Sequence, residues 1–169
     1  MMTSARQPTG QRDPRDAQWI VFTRHFTAPI DDVWAAVTEP DRMARWIGTW
    51  TGDPASGRIE FFMTAEGDDV PAEPYIIETC DPPHELVATS TDGDGQTWRL
   101  RIELVDADGT TTLRFGQLLT DPDLAASVGP GWEYYLDRLV AAETGRDLSG
   151  VDFDDYYPAL SDHYRHLVA

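Results

Sequence analysis

The chain has 169 residues, with 30 acidic against 13 basic side chains, a formal net charge of −17, and 41% hydrophobic residues that include six each of Trp, Tyr and Phe. That is the size and composition of one globular domain with a sizeable core, not of a disordered or fibrous chain. So negative a surface repels phosphate backbones and anionic headgroups, which argues against nucleic acid and membranes as partners.

No apolar run approaches the roughly 20 residues that cross a bilayer. The opening MMTSARQPTGQRDPRDAQ has no signal-peptide core, so a cytoplasmic protein is expected. Cys80 is the only cysteine, which leaves no intrachain disulfide and no thiolate cluster. His25, His84, His163 and His166 show neither HxH nor HExxH spacing, so neither metal nor cofactor is expected.

In chain order, residues 1–17 are polar and read as a flexible lead-in. WIVFTRHF (19–26) is rich in β-formers, with Ile20, Phe22 and Phe26 on the inward parity and His25 on the other. After Ala28-Pro29, Asp31 or Asp32 can cap a short helix, IDDVWAAVT, buried through Val33, Trp34 and Val37. Pro40 starts a second, PDRMARWI, packed through Met43, Trp46 and Ile47.

A Gly/Pro loop then leads to a strand at 58–64, with Ile59, Phe61 and Met63 on one side. AEGDDVPAEP is an acidic loop, and Tyr75–Cys80 is a strand stopped at the corner Asp81-Pro82-Pro83. Glu85–Ser90 is the next strand, and the clearest follows: Trp98, Leu100, Ile102 and Leu104 alternate with Arg99, Arg101 and Glu103, one dry face and one wet. A turn at Asp106–Gly109 returns the chain through 110–119, with Leu113, Phe115 and Gln117 inward.

Asp121-Pro122 caps a helical start that Gly129-Pro130-Gly131 should kink or break, because Pro130 removes a bond to Ala126. In Val128–Thr144, Trp132, Tyr135, Leu136, Leu139 and Val140 share one helix face, with Glu133, Asp137, Arg138 and Ala141 turned away. Such a helix lies across a sheet, either as plain core or as the roof of a cavity. Residues 146–169 form a Tyr-rich, partly helical appendix, whose Tyr156, Tyr157, His163 and Tyr164 can staple it to the domain, close a cavity mouth or make a homodimer contact.

This order resembles the helix-grip fold of the SRPBCC superfamily (START-related, pollen-allergen-like), and within it the branch named after the activator of heat-shock-protein-90 ATPase. The residues that carry the resemblance are the first strand running into Ala28-Pro29, VWAAVTEPDRMARWI (33–47), CDPPHELV (80–87), GTTTLRF (109–115) and GWEYYLDRL (131–139). The resemblance implies an α+β domain over 18–145, a six-stranded curved antiparallel sheet around a long C-terminal helix, with two short helices after the first strand.

It also implies a cavity between sheet and helix. Carried onto this chain, its lining would come from Phe22, Trp46, Phe61, Trp98, Leu100, Ile102, Phe115, Trp132, Tyr135 and Leu136. The function implied is binding of an apolar or aromatic small molecule, as carrier or sensor. The alternatives are a cyclase, aromatase or hydrolase using the same cavity, or a chaperone-cofactor module. Catalysis would need a polar group inside, and Arg24, Glu60, Glu78, Cys80, Gln117 and Tyr135 are the candidates. Cys80, with no basic neighbour to lower its pKa, reads as an inert buried thiol, and no residue carries a catalytic signature.

Overall fold

The structure is a computed structural model that describes residues 6–91 and 95–169. Eight strands form one antiparallel sheet: β1 (Gln11–Asp13), β2 (Asp16–Phe26), β3 (Thr49–Thr51), β4 (Arg58–Phe62), β5 (Glu73–Asp81), β6 (Glu85–Thr91), β7 (Thr97–Ala107) and β8 (Thr110–Leu118). Their order is β1-β2-β8-β7-β6-β5-β4-β3. Among the described residues four α-helices accompany them: α1 (Ile30–Thr38), α2 (Pro40–Met43), α3 (Pro122–Glu143) and α4 (Ser161–Val168).

The α+β class with a long C-terminal helix is as expected, but there are eight strands rather than six. The two additional strands, β1 and β3, are three residues long and mostly polar, so neither shows a readable alternation. The chain divides into two compact units, Arg24–Gln117 and the pairing of residues 6–23 with Leu118–Ala169.

In the unit Arg24–Gln117, α1 buries Val33, Ala36 and Val37. Its N-cap is Pro29, with no side-chain cap, so neither Asp31 nor Asp32 has the capping role expected; both lie in the first turn, where acids favour the helix dipole. The second helix is one α-turn followed by tighter turns, which still bring Trp46 and Ile47 into the core. Asp81-Pro82-Pro83 makes the expected corner between β5 and β6, with a cis Pro82–Pro83 bond.

The β7–β8 hairpin closes on two residues, Asp108 (φ 53°) and Gly109 (φ 80°), between the partners Ala107 and Thr110. Both angles are positive, as the tight hairpin turn requires, and Asp-Gly tolerates them well. The wet face of β7 is less wet than its alternation implies: Arg101 and Glu103 pair at 3.2 Å and are both largely covered.

In the other unit, Trp19, Ile20, Val21 and Phe22 are all buried, so β2 has no wet face there. Residues 6–17 are not the loose lead-in expected. Gln11–Asp13 pairs with β2, and Arg12 Nε donates to the Leu167 carbonyl. The buried Asp13 carboxylate is paired with Arg15 at 2.9 Å.

The long helix is continuous from Pro122 to Glu143, with Pro130 inside it. The break expected at Gly129-Pro130-Gly131 does not occur. An interior proline costs about 3 kcal/mol, and burial of Ala125, Ala126, Gly129 and Pro130 on the same helix offsets that loss. Asp121 caps the start as expected, accepting from the Asp123 and Leu124 amides.

Candidate functional site

The unit Arg24–Gln117 presents an apolar sheet face that register and the two-residue period define. Leu86 pairs with Ile102, and Ile102 with Phe115; Ala88 pairs with Leu100, and Leu100 with Gln117; Ser90 pairs with Trp98. Ile77 opposes Ala88, Ile59 opposes Tyr75, and Phe61 opposes both Trp50 and Glu73, which extends the same side toward β3.

Phe61, Phe115 and Gln117 on this face are buried. Ile77, Ala88, Trp98, Leu100 and Ile102, at its centre, are only half-buried. These apolar side chains in the middle of the sheet keep accessible surface and form a candidate binding face over β5–β7.

Two indoles border this face. Trp46 Nε1 donates to the Ala36 carbonyl at 3.0 Å and Trp50 Nε1 to that of Thr38 at 2.8 Å, which fixes both rings. Tyr75 stands on the same side as Ile77, its ring edge-on to Phe61 at 6.1 Å. Burial, and secondarily the Glu73 charge, push its phenol above the usual range, so the hydroxyl keeps its proton.

Of the ten residues expected to line a cavity, Trp46, Phe61, Trp98, Leu100, Ile102 and Phe115 belong to this unit. Among the candidate polar groups, Gln117 is buried on this face. Glu60 is paired with Arg58 at 3.0 Å and Glu78 with Arg99 at 2.8 Å, both near the surface. The Cys80 thiol is exposed, not buried as expected, because it sits near the open end of β5 next to the Asp81 corner. Arg24 is half-buried, and His25 is exposed as expected, with Nδ1 3.1 Å from Thr112 Oγ1.

Phe22, Trp132, Tyr135 and Leu136 belong to the other unit. Phe22 is sealed and packs on the Tyr164 ring at 5.7 Å. Trp132 and Tyr135 are half-buried and lie edge to face at 6.4 Å, Tyr135 also touches Tyr134, and Leu136 is fully buried.

The largest departure from the sequence reading is on the opposite side of α3. Glu133, expected to face away, is 2% exposed, and Ala141 is buried too. The Glu133 carboxylate accepts from the Thr9 amide, the Thr9 hydroxyl and, at 2.8 Å, the Tyr164 hydroxyl. Tyr164 in turn accepts from the Gly10 amide at 3.0 Å, and His163 Nε2 lies 3.0 Å from the Gly10 carbonyl.

Gly129 is the floor of this arrangement. A β-carbon there would lie 2.2 Å from Tyr164 Cγ. One turn on, Asp137 accepts from the Tyr156 hydroxyl at 2.6 Å and pairs with Arg6, whose guanidinium also lies 4.6 Å over the Tyr156 ring. The tail is thus bound to α3 by buried tyrosines. The sequence held one unused signal for this: a helical glycine one turn before a glutamate, in a chain with a Tyr-rich end. Among the described residues no acidic, His or Cys cluster could hold a metal ion, and no helix is long and apolar enough to cross a membrane.

Comparison with known proteins gives the family and the fold. CalU16 from Micromonospora echinospora, in its crystal structure, matches with a TM-score of 0.70 at 23% identity, covering 96% of this chain and 96% of its own. Its solution structure matches with a TM-score of 0.72 at 21% identity, covering 99% and 98%. Both matches therefore run through the C-terminal tail. The protein encoded by gene BPP1335 from Bordetella parapertussis matches with a TM-score of 0.66 at 24% identity, over 93% and 95%. DynU16, a protein in the dynemicin biosynthetic locus, matches with a TM-score of 0.58 at 21% identity, over 83% of this chain and 50% of its own.

No curated protein matches. The family described as Activator of Hsp90 ATPase homolog 1-like protein matches residues 27–143. That span begins just after β2, takes in the whole apolar face and ends with α3, and on it the chain belongs to the Activator of Hsp90 ATPase homolog 1-like family.

Proposed function

We propose that the chain binds a small apolar or aromatic molecule in a hollow over β5–β7, as a carrier or sensor. The observation that carries this reading is the accessible apolar row Ile77–Ala88–Leu100, with Trp98 and Ile102 beside it, on a sheet face where Phe61, Phe115 and Gln117 are buried. A packed core would leave no such surface, and a ligand covering it gains roughly 25 cal/mol per Å² of apolar area removed from water. The structural likeness to a protein of a biosynthetic locus supports a small-molecule context.

The test is a titration with the uncharged fluorophore N-phenyl-1-naphthylamine. The wild type should give a saturable rise in emission. Leu100→Trp, which fills the hollow without adding charge, should weaken the affinity about ten-fold with thermal stability kept, since that is the scale of a lost apolar contact of this size. A linear, non-saturating response of the folded wild type would refute the reading.

A further inference from the structure

The geometry points to the Tyr75 hydroxyl as the hydrogen-bond donor that orients the ligand, and so to an uncharged ring compound with a carbonyl or comparable acceptor oxygen. This rests on the binding reading above and specifies the chemistry of the same hollow.

The first observation is what Tyr75 lacks. Its ring is half-buried among apolar neighbours, against Phe61 and on the side of Ile59 and Ile77, while its hydroxyl bonds no described residue and is not among the buried unpartnered groups, so it is accessible from the apolar face. Phenols placed in apolar surroundings ordinarily find a hydrogen-bond partner. The two fully buried tyrosines of the other unit do so: Tyr156 donates to Asp137 and Tyr164 to Glu133. Trp46 and Trp50 also bond backbone carbonyls. Tyr75 differs from these four aromatic donors, and it does so on the apolar face.

The second observation is electrostatic. Glu73 lies two residues before Tyr75 on the same side of β5, and the net charge of the chain is −17. An anionic ligand would be repelled by both, while a neutral acceptor oxygen is not. The phenol also stays protonated well past neutral pH, so it keeps a proton to donate under ordinary conditions. The flat, half-accessible row beside it, Trp98 to Leu100, suits a ring.

The matched probes are fluorene and 9-fluorenone, which share a ring frame and differ by one carbonyl, with 9-fluorenone-2-carboxylate as the charged form. Affinities are measured by quenching of tryptophan emission for wild type and Tyr75→Phe. The wild type should bind fluorenone about three- to ten-fold more tightly than fluorene, the range of one net hydrogen bond. Tyr75→Phe should bind both equally, with its fluorene affinity unchanged, and the carboxylate should bind wild type more weakly than fluorenone.

A preference for fluorenone that survives in Tyr75→Phe overturns the role of Tyr75 and leaves the binding reading standing. Equal or tighter binding of the carboxylate overturns the restriction to uncharged ligands. Failure of all three probes to bind folded wild type overturns the binding reading and this inference with it.

Discussion

Two glycines of one helix, two residues apart, have opposite reasons to be there. Gly129 is required by what lies on it: a β-carbon would come within 2.2 Å of Tyr164 Cγ and 2.5 Å of Cδ2, in a ring held by hydrogen bonds to Glu133 and Gly10. Gly131 has no atom within 4 Å of the same added carbon. Alanine is the better helix former by about 1 kcal/mol. Gly131→Ala should therefore raise stability by up to about that amount, whereas Gly129→Ala should lower it by about 1–3 kcal/mol, the overpacking cost exceeding the helical gain. Urea denaturation of the two variants checks this. A stabilised Gly129→Ala would mean that the Tyr164 ring yields easily and does not hold the tail.

At the scale of elements, what was readable in the sequence and what was not divide along the range of the interactions. The strand β7 announces itself through Trp98, Leu100, Ile102 and Leu104, and α1 through Val33 and Val37, because each element's own period writes its apolar face. The apolar face of the candidate site was legible for the same reason, from Phe61 to Phe115. β1 and β3 were not, being held by their partner strands and not by any pattern of their own.

By its own pattern the polar side of α3 is a solvated one, since Glu133 and Asp137 are what a wet face looks like. Their partners Thr9, Arg6, Tyr156 and Tyr164 come from the two ends of the chain, and no local pattern records that. The role of Tyr75 was hidden similarly: a tyrosine at a strand start is ordinary, and only its unpaired hydroxyl marks it out.

The same long-range bonding makes the tail a structural part of its unit. A chain ending at Thr144 loses Tyr156, Leu160 and Tyr164, all buried, and leaves Glu133 and Thr9 without Tyr164. Each large apolar side chain contributes about 1.5–3 kcal/mol when fully buried, so the truncation should lower stability by at least about 3 kcal/mol. It should also remove amide-exchange protection from α3 as well as from the missing segment. Unchanged protection in α3 would show the tail to be a dispensable cover.

Across the whole molecule, charge and burial act on stability in the same direction at high pH, and salt separates them. With a formal charge of −17 and no lysine among its 13 basic residues, the chain repels itself, and more so as its phenols ionise. Tyr75 adds a different term, because its phenol is raised in the folded state by burial first and by Glu73 second. Below about pH 10, the ordinary phenol value, it is protonated in both the folded and unfolded chains and makes stability no function of pH. Above that value the unfolded chain releases the proton while the folded chain holds it, so stability falls with rising pH.

Self-repulsion is long-ranged and screened by salt over about 10 Å at 0.1 M, whereas loss of water around a buried phenol is not. Urea unfolding followed from pH 8 to pH 11 should therefore show a downward slope above about pH 10 that 0.5 M NaCl reduces but does not abolish. In Tyr75→Phe the salt-insensitive part should shrink and the salt-sensitive part remain. An identical alkaline slope in both proteins at high salt would mean that the Tyr75 phenol ionises freely in the folded chain.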